Sequence, residues 1–416
     1  MEPTGTPPRL GFVSQWFDPE RGSAAQASNI ARSMVRQGFD VTVLTGFPNY
    51  PEGKLYPGYR QRPHSVEQQG AMTVHRVPLV PTHKPSLSSR LLSYGSFALS
   101  ASVAAPVVLR DVDVALVHLT PATPALAAAT LRALRGIPFV LHVQDLWPET
   151  VMGTNFISSR GAGLAQRLIH TYCDAMYQRA SAIAVSSPGM RDKIIARGVP
   201  ASKVHFAPNW ADESVFLPRE PDSQLRASLG LRPFTVMYAG NLGHFQALDA
   251  LLDVASRTLD LPDVGYLIVG EGVRSEQIDS KIRELSLTNV SRMTAQPFNK
   301  MAEVLALGDL HYVGLADLPL FGLTLPSKIQ ATMACGRPIL GHLRGDAERV
   351  IAEANCGVCA PPGDIETLER AVRDYSSNPS AAREAGERGL HYYKSTFSES
   401  ASSGLLADLL RTAAAP

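Results

Sequence analysis

Along the first half of the chain, short apolar runs rich in β-branched residues alternate with longer stretches whose apolar positions recur every three or four residues. "RLGFVSQWF", "DVTVLTG", "MTVHRVPLV", "DVALVHL", "PFVLHVQD", "SAIAVSS" and "VHFAPN" predict strands, while "SAAQASNIARSMVRQG" and "GLAQRLIHTYCDAMYQRA" predict helices between them. Strands that are apolar almost throughout, separated by helices, predict a parallel sheet covered on both faces. The pattern restarts after the polar, proline-rich "NWADESVFLPREPDSQLRASLGLRP". "FTVMYAGNLG", "VGYLIVGEG", "VSRMTA", "HYVGLA" and "RPILGHL" then predict a second doubly wound unit of similar size. The expected class is α/β, with Rossmann-like domains at 1–208 and 231–395, a linker at 209–230 and a terminal helix in 396–416. Ser398 is the expected N-cap of that helix, and Leu405, Leu406, Leu409 and Leu410 follow at helical spacing.

Charge narrows the partners. The 416 residues carry 39 basic and 38 acidic side chains, with no basic stripe to suit a nucleic acid. The N-terminus "MEPTGTPPRL" lacks a charged-then-apolar signal pattern, so the expected location is cytoplasmic, with the inner face of the cell membrane as the alternative. Leu91 to Leu109 is free of charge and long enough to cross a bilayer. Ser93, Gly95, Ser96, Ser100, Ser102 and Pro106 interrupt it, and it falls between two predicted strands. A crossover helix or helical hairpin is expected, with interfacial membrane contact as the alternative. Four cysteines make no disulfide framework. Cys356 and Cys359 form a C-x-x-C, but on a short strand ending in a turn, which suits two buried small residues better than a redox pair or zinc.

Two parallel sheets place ligands beyond the carboxyl ends of their strands, where turns meet helix N-termini, and here in a cleft between the domains. In the second domain "YAGNLGHF" supplies Gly240 and Gly243, "LIVGEG" supplies Gly270 and Gly272, and "LPSK" supplies Pro326, Ser327 and Lys328 at a helix start. Three such anion features favour a nucleotide diphosphate over three unrelated turns. In the first domain Gly22 and Ser23 open a helix, and "HVQDLWPE" ends a strand with Gln144, Asp145, Trp147 and Glu149. Polar strand ends beside a tryptophan suit a sugar, although a strand cap would look alike. His118 ends another strand. Tyr50, Lys54, Tyr59 and Arg60 in "PNYPEGKLYPGYR" suit an acceptor phosphate or polar small molecule, or a solvated loop. Asp111 and Asp113 form a D-x-D, but it precedes its strand, so no metal is expected.

Assembled, these stretches resemble a family-4 retaining glycosyltransferase of the GT-B fold, of the bacterial subgroup that builds lipid-linked polysaccharide units. "HVQDLWPE", "AVSSPGMRDKI", "PNWAD", "YAGNLG", "LIVGEG", "LPSKIQATMACGRPIL" and "CGVCAPPGD" carry the resemblance in order along nearly the whole chain. It implies an N-terminal acceptor domain, a C-terminal nucleotide-sugar domain, and a last helix crossing back onto the first. It also implies metal-free transfer with retention from a nucleotide-diphosphate sugar, UDP or GDP, as co-substrate. The expected donor set adds Gly22 and Ser23 of the first domain, and Asn241, Leu242, His244, Gln296, Pro297, Phe298 and Leu325 of the second; the acceptor set adds Arg191. Asp145, Glu149 and Lys328 are the catalytic candidates. Three departures stand out. The family's paired glutamates would fall at Leu323 and Ala331, its diphosphate-gripping Arg and Lys at Asn241 and Gln246, and its histidine at Gln144. Lys328 is placed to take over the diphosphate. The acceptor is a lipid-linked sugar or a soluble natural product. The alternatives are a nucleotide-sugar isomerase or hydrolase, and a degenerate binding protein on the same fold.

Overall fold

Strand β1 (Arg9–Val13) lies beside a strand a hundred residues away, Val114–Leu119, and that pairing fixes where the first sheet changes direction. The computed structural model describes residues 7–20, 24–82, 87–149 and 162–415, which fall into two compact units: 1–207 together with 403–416, and 208–402. Gly22 and Ser23 lie outside the described residues.

In the first unit β1 is followed by α1 (Ala25–Arg36), β2 (Asp40–Gly46), β3 (Ser65–Gln69), β4 (Met72–Val77) and α2 (Leu87–Val108). Then come β5 (Val114–Leu119), α3 (Ala125–Arg135), β6 (Phe139–Val143), α4 (Ala162–Arg179), β7 (Ala182–Val185), α5 (Pro188–Ala196) and β8 (Val204–Phe206). The strand order is β3-β4-β2-β1-β5-β6-β7-β8, parallel except for the β3–β4 hairpin. Every residue of β5 and β6 is buried, as a central strand covered on both faces requires. Strand β3 escapes the apolar pattern because it is an edge strand with alternating half-buried positions. The charge-free segment forms one helix, α2, with Pro106 in its last turn.

The second unit runs α6 (Ser223–Ser228), β9 (Phe234–Ala239), α7 (Leu248–Arg257), β10 (Val264–Val269), α8 (Ser275–Glu284), β11 (Val290–Met293) and α9 (Met301–Ala306). It continues with β12 (Leu310–Gly314), α10 (Ser327–Ala334), β13 (Ile339–His342), α11 (Asp346–Ala354), β14 (Gly357–Ala360), α12 (Ile365–Ser377) and α13 (Pro379–Tyr392). Its six strands are all parallel, ordered β11-β10-β9-β12-β13-β14, so the winding reverses between β9 and β12. The expected linker is not free chain. Its helix α6 is docked by Arg226, which donates to Leu307 O at 2.6 Å and Arg232 O at 2.9 Å.

A π turn, Tyr393–Phe397, leads to α14 (Glu399–Ala414). Ser398 caps it, its Oγ accepting from Ala401 N at 3.2 Å. Ser403, Leu406, Ala407 and Leu410 are buried, whereas Leu405 and Leu409 are half-buried, so the apolar face is narrower than four leucines suggest. From Ser403 onward the helix belongs to the first unit. Gln37 Nε2 donates to Ser403 Oγ (2.9 Å), and Arg411 donates to Gln37 O (2.7 Å) over the ring of Phe39.

Candidate active site

In a doubly wound sheet the crevice at the reversal point receives ligands. In the second unit this point is occupied by Lys328, from the first turn of α10. Its Nζ donates to Tyr238 Oη at 2.6 Å, sits 3.9 Å from that ring's centre, and reaches Gln246 Oε1 at 3.3 Å. The Tyr238 hydroxyl in turn donates to Asn241 O at 2.6 Å. A Cβ on Gly240 would lie 2.6 Å from Lys328 Cε, so only glycine lets the lysine cross the end of β9. Burial without a counter-charge lowers the Lys328 ammonium to about 7. Helix α10 has no side-chain cap; Ile329 N donates to Pro326 O at 2.9 Å, and the Ser327 and Lys328 N–H groups stand at the helix start.

The glycine turns do different work from that expected. Gly240 N donates to Val269 O and Gly270 N to Met293 O, each at 3.0 Å, while Gly272 N donates to Ser275 Oγ at 3.0 Å. None of these N–H groups is left for a phosphate. Gly270 is required because a Cβ there would lie 1.9 Å from Gly240 O. Leu242 has its side chain in the core, its N–H bonded to Glu271 O, and its carbonyl bonded to Arg274 N. Gly243 is buried, with exposed Asn241 and His244 on either side. Leu325 and Pro326 are half-buried ahead of exposed Ser327; Gln296 is half-buried and Pro297 and Phe298 are exposed after β11.

A cavity of about 450 Å³, missed in the sequence, opens at the carboxyl ends of β12 and β13. Asp317, Phe321, Gly322 and Arg344 line it, with Arg344 Nη1 3.9 Å from Asp317 Oδ2. Each charged residue closely follows a predicted strand, and that position was the available signal.

In the first unit Asp145 is half-buried just beyond β6, and burial alone raises its carboxyl to about 6. Trp147 is buried, its indole N–H donating to Thr120 O at 3.1 Å. Four aromatic rings run in a row here. Tyr50 and Trp16 have centres 5.1 Å apart, Trp16 and Tyr94 6.3 Å, and Tyr94 and Trp147 5.8 Å. The sequence did not single out Trp16 or Tyr94, because one lies beyond β1 and the other within the charge-free helix. Tyr50 is held by Glu20, whose buried carboxylate accepts from Asn49 N and Tyr50 N at 2.7 Å and from Phe17 N at 2.9 Å. Burial pushes that carboxyl up to about 7 against the pull of those N–H groups.

Other candidates fall away from the row. His118 is buried inside the sheet, its ring 6.0 Å from that of His142, and desolvation lowers it to about 3. Gln144 Nε2 lies 3.1 Å from His142 Nε2. Glu149 faces Arg197 at 3.6 Å, and Arg197 also donates to Trp147 O, so Glu149 sits in a structural ion pair. Lys54 and Arg191 are exposed. At the opposite end of the sheet Asp113 pairs with Arg9 at 2.9 Å and Asp111 with Arg110 at 3.1 Å. Cys356 and Cys359 are free thiols pushed up to about 12 by burial.

Comparison with known proteins agrees with this geometry. Residues 21–210 match a glycosyl transferase 4-like domain, and residues 233–378 match the glycosyl transferases group 1. The chain is 27% identical over 395 residues to WcaI of Escherichia coli (strain K12), named as a colanic acid biosynthesis glycosyl transferase, covering 90% of this chain and 94% of that one. It is 26% identical over 251 residues to the alpha-galactosylglucosyldiacylglycerol synthase of Streptococcus pneumoniae, covering 58% and 63%. Among solved structures, sucrose-phosphate synthase from Thermosynechococcus elongatus superimposes with a TM-score of 0.71 at 16% identity, over 97% of this chain and 98% of that one. HepE of Anabaena, solved in complex with UDP, gives 0.69 at 17% identity, over 97% and 100%. With both units matched in order, the chain belongs to the family 4/group 1 glycosyltransferases of the GT-B fold, and it is an enzyme that transfers glycosyl groups.

Proposed function

We propose that the enzyme transfers a sugar, with retention and without a metal, from a UDP- or GDP-sugar bound by the second unit to a carbohydrate acceptor bound by the first. The observation that carries this reading is Lys328 at the winding reversal, whose hydrogen-bond partners among the described residues are the neutral Tyr238 and Gln246. A lysine held there by neutral partners is poised to meet the leaving diphosphate, helped by the Ser327 and Lys328 N–H groups at the start of α10. The donor sugar occupies the cavity beside Asp317 and Arg344. The aromatic row Tyr50, Trp16, Tyr94 and Trp147 offers ring faces to the acceptor sugar. Asp145, at the end of this row, orients the attacking group or takes its proton.

The relatives named for polysaccharide and glycolipid synthesis favour a lipid-linked acceptor at the inner face of the cell membrane. The D-x-D carboxylates point away from this chemistry, already paired with arginines. Incubation with a panel of UDP- and GDP-sugars, with and without a membrane lipid extract, tests the reading. Acceptor-dependent nucleotide release that survives EDTA is expected. Release independent of any acceptor would identify a donor hydrolase instead, and loss on chelation with rescue by manganese would overturn metal independence.

A further inference from the structure

Helix α2 is built inside out. One face, Ser93, Phe97, Ala101, Ala105 and Leu109, is buried where the helix packs against α3 and over β2 and β4. Its opposite face presents Leu92, Leu99, Val103 and Val107, the last three 67%, 71% and 64% exposed. These lie seven, four and four residues apart, along a single helical stripe. A solvated surface helix carries charges there. This one has none from Leu91 to Leu109.

The hydroxyls of α2 do not look to water either. Ser96 Oγ donates to Ser93 O and accepts from Val80 N, Ser100 Oγ donates to Pro78 O, and Ser102 Oγ donates to Ala98 O. These three hydroxyls are thus satisfied within the protein, as an apolar medium demands. Helix α3, packed alongside, exposes Leu126 and Leu134.

The charges within these helices and at their ends are basic as far as Arg110, after which Asp111 follows. Arg90 and Arg110 flank the α2 stripe, and Arg132 and Arg135 end α3; residues 87–110 and 125–136 contain no Asp or Glu. Arg135 donates to Pro106 O at 3.1 Å, which brings the basic end of α3 to the C-terminal end of the stripe. Asp111 pairs with Arg110 at 3.1 Å, so Arg90, Arg132 and Arg135 are the members of this rim without an acidic neighbour in sequence.

We propose that the α2 face, with the exposed leucines of α3, docks on an anionic phospholipid bilayer, lying in the interface rather than crossing it. An aliphatic stripe bounded by arginines matches acyl chains bounded by phosphates, so the complementarity is both apolar and electrostatic. Crossing is excluded by the other face, whose Phe97 and Leu109 would have to leave the core. The same helix carries Tyr94 in the aromatic row, so docking would set the acceptor subsite beside the membrane. The docking surface itself does not depend on the transfer reaction.

The experiment is flotation of the full-length protein with vesicles of phosphatidylcholine alone and of phosphatidylcholine with phosphatidylglycerol. The protein should float with the anionic vesicles and be released by salt. The double variant Leu99→Glu/Val103→Glu should weaken partitioning at least about tenfold, given the apolar area it withdraws. Arg110→Gln should weaken it about fivefold on anionic vesicles only. The replaced side chains are exposed, so thermal unfolding and vesicle-free nucleotide release should match wild type, separating this result from any failure of the transfer reading. Wild-type protein left behind by both vesicle types, or a double variant that floats equally well, overturns the proposal. So does a soluble dimer that the double variant splits, which would assign the face to a second copy of the chain.

Discussion

Lys328 rests its ammonium group 2.6 Å from the Tyr238 hydroxyl and 3.9 Å from the centre of that ring, with no carboxylate among its hydrogen-bond partners. Burial lowers its pKa to about 7. Unbound, it is half-neutral near pH 7. A diphosphate beside it favours the charged form and raises the pKa. Nucleoside diphosphate binding should therefore take up a proton above pH 7, and affinity should fall as pH rises until the pKa of the complex is passed. Calorimetry in buffers of different ionisation enthalpy reads this uptake. Lys328→Met should abolish it and cost about 1.5–3 kcal/mol of binding, the range for a charge-assisted contact. Unchanged affinity and uptake in that variant would remove Lys328 from the donor site.

Asp145 gives the opposite pattern, because burial raises its carboxyl to about 6. As a base it must be ionised, so turnover should fall as pH drops through about 6. Asp145→Asn should lower turnover by about 10²-fold or more if the carboxylate takes the proton. The stability sign runs the other way. Between the unfolded and folded pKa values the native state holds the extra proton, so rising pH costs stability there. Above pH 6 the variant should thus melt higher than wild type while turning over more slowly. A structural strand cap would show the stability effect without the loss of turnover.

The folds were legible because central parallel strands are apolar at every position, as in "DVALVHL" and "PFVLHVQD". β3 was not, because an edge strand keeps polar residues on its open side. The site divides in the same physical way. Lys328 and Asp145 drew attention through their places at a helix start and a strand end. That the N–H groups of Gly240, Gly270 and Gly272 are spent on neighbouring groups could not be read from the sequence. Trp16 and Tyr94 meet only in three dimensions, 78 residues apart along the chain.

That meeting can be tested through the three tryptophans of the chain. With indole-labelled protein, acceptor binding should shift the Trp16 resonance, identified by its loss in Trp16→Phe. Trp147, buried and bonded to Thr120 O, should shift less. Trp16→Ala should raise KM for the acceptor about tenfold, the loss of one aromatic face, and leave KM for the donor unchanged. A donor KM that rises equally would place Trp16 outside an acceptor subsite.

The last helix is the element whose removal best separates the two units. Leu406 and Leu410 of α14 are fully buried, and the helix is tied to α1 and β2 through Gln37, Ser403, Arg411 and Phe39. A 16-residue helix is marginal alone, so these contacts hold it. Leu406→Ala should destabilise the first unit by about 2–5 kcal/mol, the range for a buried leucine that leaves a cavity. The donor contacts proposed around Lys328 lie within 208–402. Nucleotide binding by the variant should therefore match wild type at temperatures where the first unit begins to melt, while glycosyl transfer, which needs both, is lost with that unit. Calorimetric unfolding followed with and without nucleoside diphosphate distinguishes the two outcomes. If nucleotide affinity falls in parallel with first-unit melting, the donor site does not reside in the second unit alone.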